Sequence, residues 1–237
     1  MTPDDTYLGR SDLAPARHLR RAGQWEAALA ALPPGDDPTA AALRAEILVE
    51  RHVWRLDDAD AAAASVRSVP NAALAGLLTA QLEYWRRLFR LGGPAGADPA
   101  VGFAAAASDP GANPALSGWA TFHRAVCTET LTGDWEAARD GYRRAGEIAA
   151  AQGDRFLESY VVRHQGGQLI NRQGERAAGI ALLRRSLQLR AALGARPQVA
   201  AAQLALAGEL PPGREADELR EIGRSTAAEL RIPWLAG

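Results

Sequence analysis

Four histidines and one cysteine are the side chains best suited to acid–base or nucleophilic chemistry in this sequence: His18, His52, His123, His164 and Cys127. Each histidine adjoins an arginine, namely Arg17, Arg51, Arg124 and Arg163. Imidazole exchanges protons near neutral pH, so a histidine in a cleft is a candidate general base or ligand-orienting group. Cys127 follows His123 by four residues, one helical turn, which puts a base within reach of a thiol. A structural thiol is the simpler reading of the same pair. Histidines without a His-Glu-x-x-His spacing, beside a single cysteine, make no recognisable zinc or iron–sulfur ligand set, so no metal is expected. One cysteine also excludes an internal disulfide.

Composition removes further classes of chemistry. All 27 basic residues are arginine. Without lysine there is no Schiff-base amine and no phosphate-loop lysine, so no pyridoxal or nucleotide cofactor of the common designs is expected. No Gly-x-Ser-x-Gly nucleophile elbow occurs, and Gly166-Gly167 falls inside a helical segment, as a packing feature. The net charge of −1 and the pI near 6.4 give no global attraction to nucleic acid or to an anionic membrane. No apolar run approaches the roughly 18 residues of a membrane span. The polar start, MTPDDTYLGR, lacks the charged-then-apolar order of a secretory signal, and a cytoplasmic location is expected.

The elements that must position these residues are helices. Long alanine, leucine, arginine and glutamate segments dominate, and β-branched alternation is nearly absent. Ser11 is expected to cap a helix beginning at Asp12, and Asp37-Pro38, Asp98-Pro99 and Asn113-Pro114 each set a capping side chain before a first-turn proline. Gly23, Gly92-Gly93-Pro94, Gly133, Gly153, Gly174, Gly194 and Pro211-Pro212-Gly213 read as stops. Between them the sequence predicts six helix pairs: 12–22 with 24–32, 38–55 with 58–68, 71–91 with 98–108, 114–132 with 134–152, 154–173 with 175–194, and 196–209 with 214–230. Residues 1–10 are expected as a flexible tail, 11–232 as one domain, and 233–237 as a terminal cap in which Trp234 tucks back. In 175–194, Ile180, Leu183, Leu187 and Ala191 are expected on one apolar stripe.

An internal repeat connects the pairs. Gly23-Gln24-Trp25-Glu26-Ala27-Ala28 returns as Gly133-Asp134-Trp135-Glu136-Ala137-Ala138, and more weakly as Gly174-Glu175-Arg176-Ala177-Ala178. Glycine ends one helix, an acidic or amide residue starts the next, the ring wedges between them, and alanine permits close approach. One such pair cannot bury its apolar face alone, so neighbours must stack.

On these motifs the chain resembles the tetratricopeptide-repeat family, best across 113–209 and also across 11–69. Small Gly167, where two helices should touch, and close-packing Ala138 belong to the same likeness. The units run nearer to 40 than to the family's 34 residues, Arg176 replaces the ring, and 70–112 matches poorly. Ser159-Tyr160-Val161-Val162-Arg163-His164, with Ser186-Leu187-Gln188-Leu189-Arg190 and Val199-Ala200-Ala201-Ala202, is similar to a group of bacterial, largely actinobacterial, repeat proteins of unassigned role. The resemblance implies an all-α fold, a right-handed α-α superhelix of about six pairs, whose first helices line a concave groove.

Counting back from each inter-helix turn then places side chains in that groove. His123, Cys127 and Thr130 face inward from the fourth pair, and Val161, His164, Gln168, Asn171 and Arg172 from the fifth. Arg10, Arg17, Arg20, Arg21, Arg44, Arg51, Trp54 and Arg55 come from the first two pairs. His123 and His164 should lie ~10 Å apart on neighbouring helices, with Cys127, Tyr160 and Gln168 nearby. Guanidinium groups suit carboxylates and phosphates; equally, these arginines can pair with Glu46, Glu50 and Glu83. Two readings stay open. One is a non-enzymatic binding or scaffold protein whose groove takes a peptide segment of a partner protein or an anionic ligand. The other is a small-molecule-binding protein or enzyme of bacterial specialised metabolism with a pocket around His123 and His164. An exposed terminal helix pair would be the surface for a homodimer.

Overall fold

The computed structural model describes residues 10–35, 37–93 and 96–236. Residues 1–9 of the expected tail over 1–10, the stop at Pro94 and the last residue, Gly237, lie outside them. Among the described residues every regular element is helical. The helices are α1 (Ala14–Arg21), α2 (Trp25–Ala30), α3 (Pro38–Arg55), α4 (Ala59–Val66), α5 (Ala72–Leu88), α6 (Pro99–Ser108), α7 (Pro114–Cys127), α8 (Trp135–Gln152), α9 (Arg155–Gln168), α10 (Arg176–Ala192), α11 (Arg196–Glu209), α12 (Arg214–Glu229) and the short α13 (Pro233–Ala236). No helix among the described residues is long and apolar enough to cross a membrane.

The start signals act through orphan backbone donors. Asp37 accepts from the amides of Thr39 and Ala40, Asp98 from Ala100, and Asn113 from Leu116, each with proline at the first helical position. Ser11 does not cap: a 3₁₀ turn covers Ser11–Leu13 and Arg10 precedes it without a side-chain cap. α7 and α9 each widen into a π-helical turn, Thr128–Thr132 and Leu169–Gln173, closed by left-handed Gly133 (φ +75°) and Gly174 (φ +72°). A side chain at either glycine would strain a backbone that L-residues rarely adopt.

Consecutive helices pack on one another, and α3, α5, α7 and α9 also touch in succession, odd helix to odd helix. Glycines set the closest approaches. A Cβ at Gly141 of α8 would meet that of Ala125 on α7 at 2.6 Å, and one at Gly179 of α10 would meet the carbonyl oxygen of Gly166 on α9 at 2.6 Å. Gly166 is therefore the contact glycine; a Cβ at Gly167 would meet nothing within 4 Å. The buried stripe of α10 is Gly179, Leu183, Ser186 and Arg190, with Ala191 exposed. The expected stripe centred on Leu183 was thus rotated, because Gly179 turns the helix edge toward α9.

α3 meets the last helices. Arg55 Nε donates to the carbonyl of Leu230 at 3.1 Å, Trp234 Nε1 donates to that of Trp54 at 3.0 Å, and Gln198 Nε2 donates to Glu50 at 3.3 Å. The indoles of Trp54 and Trp234 stack with centroids 5.2 Å apart, so Trp234 does fold back. Arg21 of α1 lies over the ring of Phe156 on α9 at 5.4 Å. These contacts bring both ends of the helix series around a shared interior.

Candidate functional site

That interior holds a cavity of about 430 Å³. Its walls are the odd helices: Glu50, Val53 and Trp54 of α3, Gln81, Tyr84 and Trp85 of α5, Phe122, His123 and Val126 of α7, Tyr160, Arg163 and His164 of α9, and Ala201, Leu204 and Ala205 of α11. Thr130 of the first π turn, Arg190 of α10, and Trp234 and Leu235 of α13 complete it. One end is aromatic: Trp85 stacks on Phe89 at 5.3 Å and meets Trp234 at 5.6 Å. The other end is polar.

The polar end contains two arginines with no carboxylate partner among the described residues. Arg190 is 2% exposed. Its Nη1 donates to the carbonyl of Gln198 at 3.0 Å, its guanidinium lies over Tyr160 at 4.6 Å, and its Nε has no acceptor. Burial lowers its pKa to about 10 despite the field of Tyr160, and neighbouring Arg163 pushes the same way. Arg163 is partly buried on the cavity wall, and burial lowers its pKa against the opposing fields of Tyr142 and Glu129. A buried cation without a partner is costly and gains most from an anion. Glu50 does not meet that need, since Arg20 Nε at 2.6 Å and Gln198 already hold it.

His164 is held from behind. Tyr142 donates its hydroxyl proton to Glu129 at 2.6 Å. With that proton committed, the Tyr142 oxygen accepts from His164 Nδ1–H at 3.1 Å. Gln168 Nε2 donates to the other Glu129 oxygen at 3.0 Å. Burial lowers the His164 pKa to about 4, with Glu129 opposing and Arg163 assisting. Burial alone would raise Glu129, but hydrogen bonds from His164, Tyr142 and Gln168 hold it at about 2. At neutral pH the set is therefore a neutral imidazole, a phenol and a carboxylate. His123 lies on the other side of Phe122, whose ring is 5.3 Å from each histidine. Gln81 Nε2 and His123 Nε2 are 3.1 Å apart.

These shifts fix a pH dependence. Between the unfolded histidine value near 6.5 and about 4, the unfolded chain binds a proton at His164 that the folded chain refuses. Stability is present above 6.5 and falls with pH through that window. Glu129 adds a second loss as pH drops from 4.5 toward 2. Urea unfolding at pH 7, 5 and 4 should show the first loss, and His164→Gln should flatten it. An unchanged slope in the variant would remove His164 as its source.

Of the residues singled out by sequence, Trp54, His123, Thr130, Tyr160 and His164 line the cavity. Gln168 stands behind it, on Glu129. Cys127 is 2% exposed, off the cavity lining, its thiol pushed up to about 11 by burial; that suits packing, not nucleophilic attack. Asn171 and Arg172 are exposed on the second π turn. Arg51 leaves the interior to pair with Asp57 at 3.3 Å and with Asp58, where left-handed Leu56 and Asp58 fold the loop back beneath it. Arg190, Glu129 and Tyr142 were not expected. Neither Arg190 nor Glu129 carried a sequence signal: the stripe expected in α10 ran through Ile180, Leu183, Leu187 and Ala191, and the structure rotates it to Gly179, Leu183, Ser186 and Arg190.

Comparison with protein-family models, with curated proteins and with solved structures finds no match.

Proposed function

We propose that the protein is a non-enzymatic binding protein that encloses a small organic anion, with its acid group against Arg163 and Arg190 and its apolar body against Trp54, Trp85 and Trp234. The observation that carries this is a pair of guanidinium groups without carboxylate partners among the described residues, in a cavity that also presents the aromatic wall of Trp54, Trp85 and Trp234. A volume of about 430 Å³ falls in the range of small-molecule sites, roughly 300–1,000 Å³. An extended peptide would need an open trough, whereas here Trp234 and Gln198 bridge to α3. Turnover is disfavoured because a histidine titrating near 4 is a weak base at neutral pH. The same reading takes the fold as a tetratricopeptide-like superhelix of six helix pairs drawn closed at its ends, working in the cytoplasm.

The test compares 3-phenylpropanoate with its carboxamide by calorimetry. The acid should bind and the amide should bind about tenfold or more weakly, since charge-assisted hydrogen bonds contribute about 1.5–3 kcal/mol. Arg163→Gln should shrink the difference, and Arg163→Gln with Arg190→Gln should erase it. Equal binding of acid and amide, or no binding of either, would sink the anion assignment.

A further inference from the structure

The cavity offers an acceptor as well as donors. His164 lines the wall, and its Nδ1 edge is engaged by Tyr142 and Glu129, neither of which lines the cavity. Its Nε2 has no hydrogen-bond partner among the described residues. The Tyr142 proton is committed to Glu129, so the imidazole proton sits on Nδ1 and Nε2 carries a lone pair. Tyr142 and Glu129 thereby fix the tautomer as well as the ring orientation. Arg163 and Arg190 line the same cavity as His164, and Arg163 adjoins it in sequence on α9, so donors and acceptor face one ligand space.

We infer that the ligand is a hydroxy acid: an acid group at Arg163 and Arg190, with a hydroxyl beside it that donates to His164 Nε2. This rests on the anion reading above and narrows its class. A plain carboxylate would fill the same space and leave the Nε2 lone pair without a donor from the ligand, a loss that sites built to bond a hydroxyl turn into selectivity. An amino acid also carries a donor beside its carboxylate, but its ammonium would approach two guanidinium groups. Glu50, the cavity's acidic side chain, is already engaged by Arg20 and Gln198. A neutral imidazole favours the donor role of the ligand, since His164 presents no second proton to the cavity.

Three probes of nearly equal size separate these classes: 3-phenyllactate, 3-phenylpropanoate and phenylalanine, each titrated into the full chain at pH 7. The expected order is phenyllactate about tenfold tighter than phenylpropanoate, with phenylalanine weakest. Two variants keep the result from resting on folding alone. In His164→Asn the amide nitrogen takes the place of Nδ1 and can still donate to Tyr142, but nothing reaches the position of Nε2; the tenfold preference of phenyllactate over phenylpropanoate should vanish. In His164→Gln the amide oxygen takes the place of Nε2, and most of the preference should remain. Equal binding of phenyllactate and phenylpropanoate to the unaltered protein overturns the hydroxy-acid assignment and leaves the anion reading standing. Preference retained in His164→Asn overturns the role of His164. Failure of all three acids to bind overturns both the anion reading and this one.

Discussion

Replacing Arg20 with leucine is expected to destabilise the protein by about 3–5 kcal/mol, the cost of breaking a buried ion pair from one side. Arg20 is 3% exposed, and Glu46 and Glu50 are 2% and 4% exposed. The guanidinium reaches both carboxylates, Glu46 through Nη1 and Glu50 through Nε. It is the cation they share, and without it two carboxylates on adjacent turns of α3 repel each other in a water-poor setting. The effect should extend to binding, because Glu50 lines the cavity and a less neutralised carboxylate there repels an incoming anion. Urea unfolding measures the first effect; titration with 3-phenylpropanoate measures the second. A triple replacement, Arg20→Met with Glu46→Leu and Glu50→Met, removes all three charges and should recover most of the stability. A loss below about 1 kcal/mol in the single variant would mean that water reaches the carboxylates and that the triad is not sealed.

How much of this was legible in the sequence depends on where periodicity holds. Asp37-Pro38, Asp98-Pro99 and Asn113-Pro114 announced three helix starts because the cap and the fixed proline φ act locally. His123, Tyr160 and His164 were legible as a cluster because they sit on regular helix one or two turns before the irregular ends of α7 and α9. Asn171 and Arg172 were misplaced because they lie within the π turn Leu169–Gln173, where the wider winding breaks the 3.6-residue register that holds for Tyr160 and His164 on regular helix. The same irregularity at Thr128–Thr132 carries Glu129 to Tyr142 and His164, a contact that no 3.6-residue count produces. Arg190 escaped because it belongs to a second helix of its pair, where an inward charge is unexpected. Trp234 and Gln198 reach α3 only because the last helices return to it, which is a property of the summed helix angles and not of any local motif.

Trp119→Ala is expected to cost about 3–5 kcal/mol, the range for emptying a buried tryptophan site. Trp119 is completely buried on α7. Its Nε1 donates to Asp154 at 2.9 Å, and the other oxygen of Asp154 accepts from the amides of Phe156 and Leu157, capping α9. The indole therefore ties α7 to the start of the helix that carries Tyr160, Arg163 and His164. It also braces four rings, lying 6.1 Å from Phe122, 5.9 Å from His123, 5.6 Å from Phe156 and 5.3 Å from Tyr160. Trp119→Phe keeps a ring against those neighbours and loses the bond to Asp154, so it should cost about 1–3 kcal/mol. The difference between the two variants separates ring packing from the anchoring of α9. If the anchor sets the pose of Arg163, both variants weaken 3-phenylpropanoate binding by similar factors although their stabilities differ. If only packing matters, binding instead follows stability, and Trp119→Phe binds like the unaltered protein.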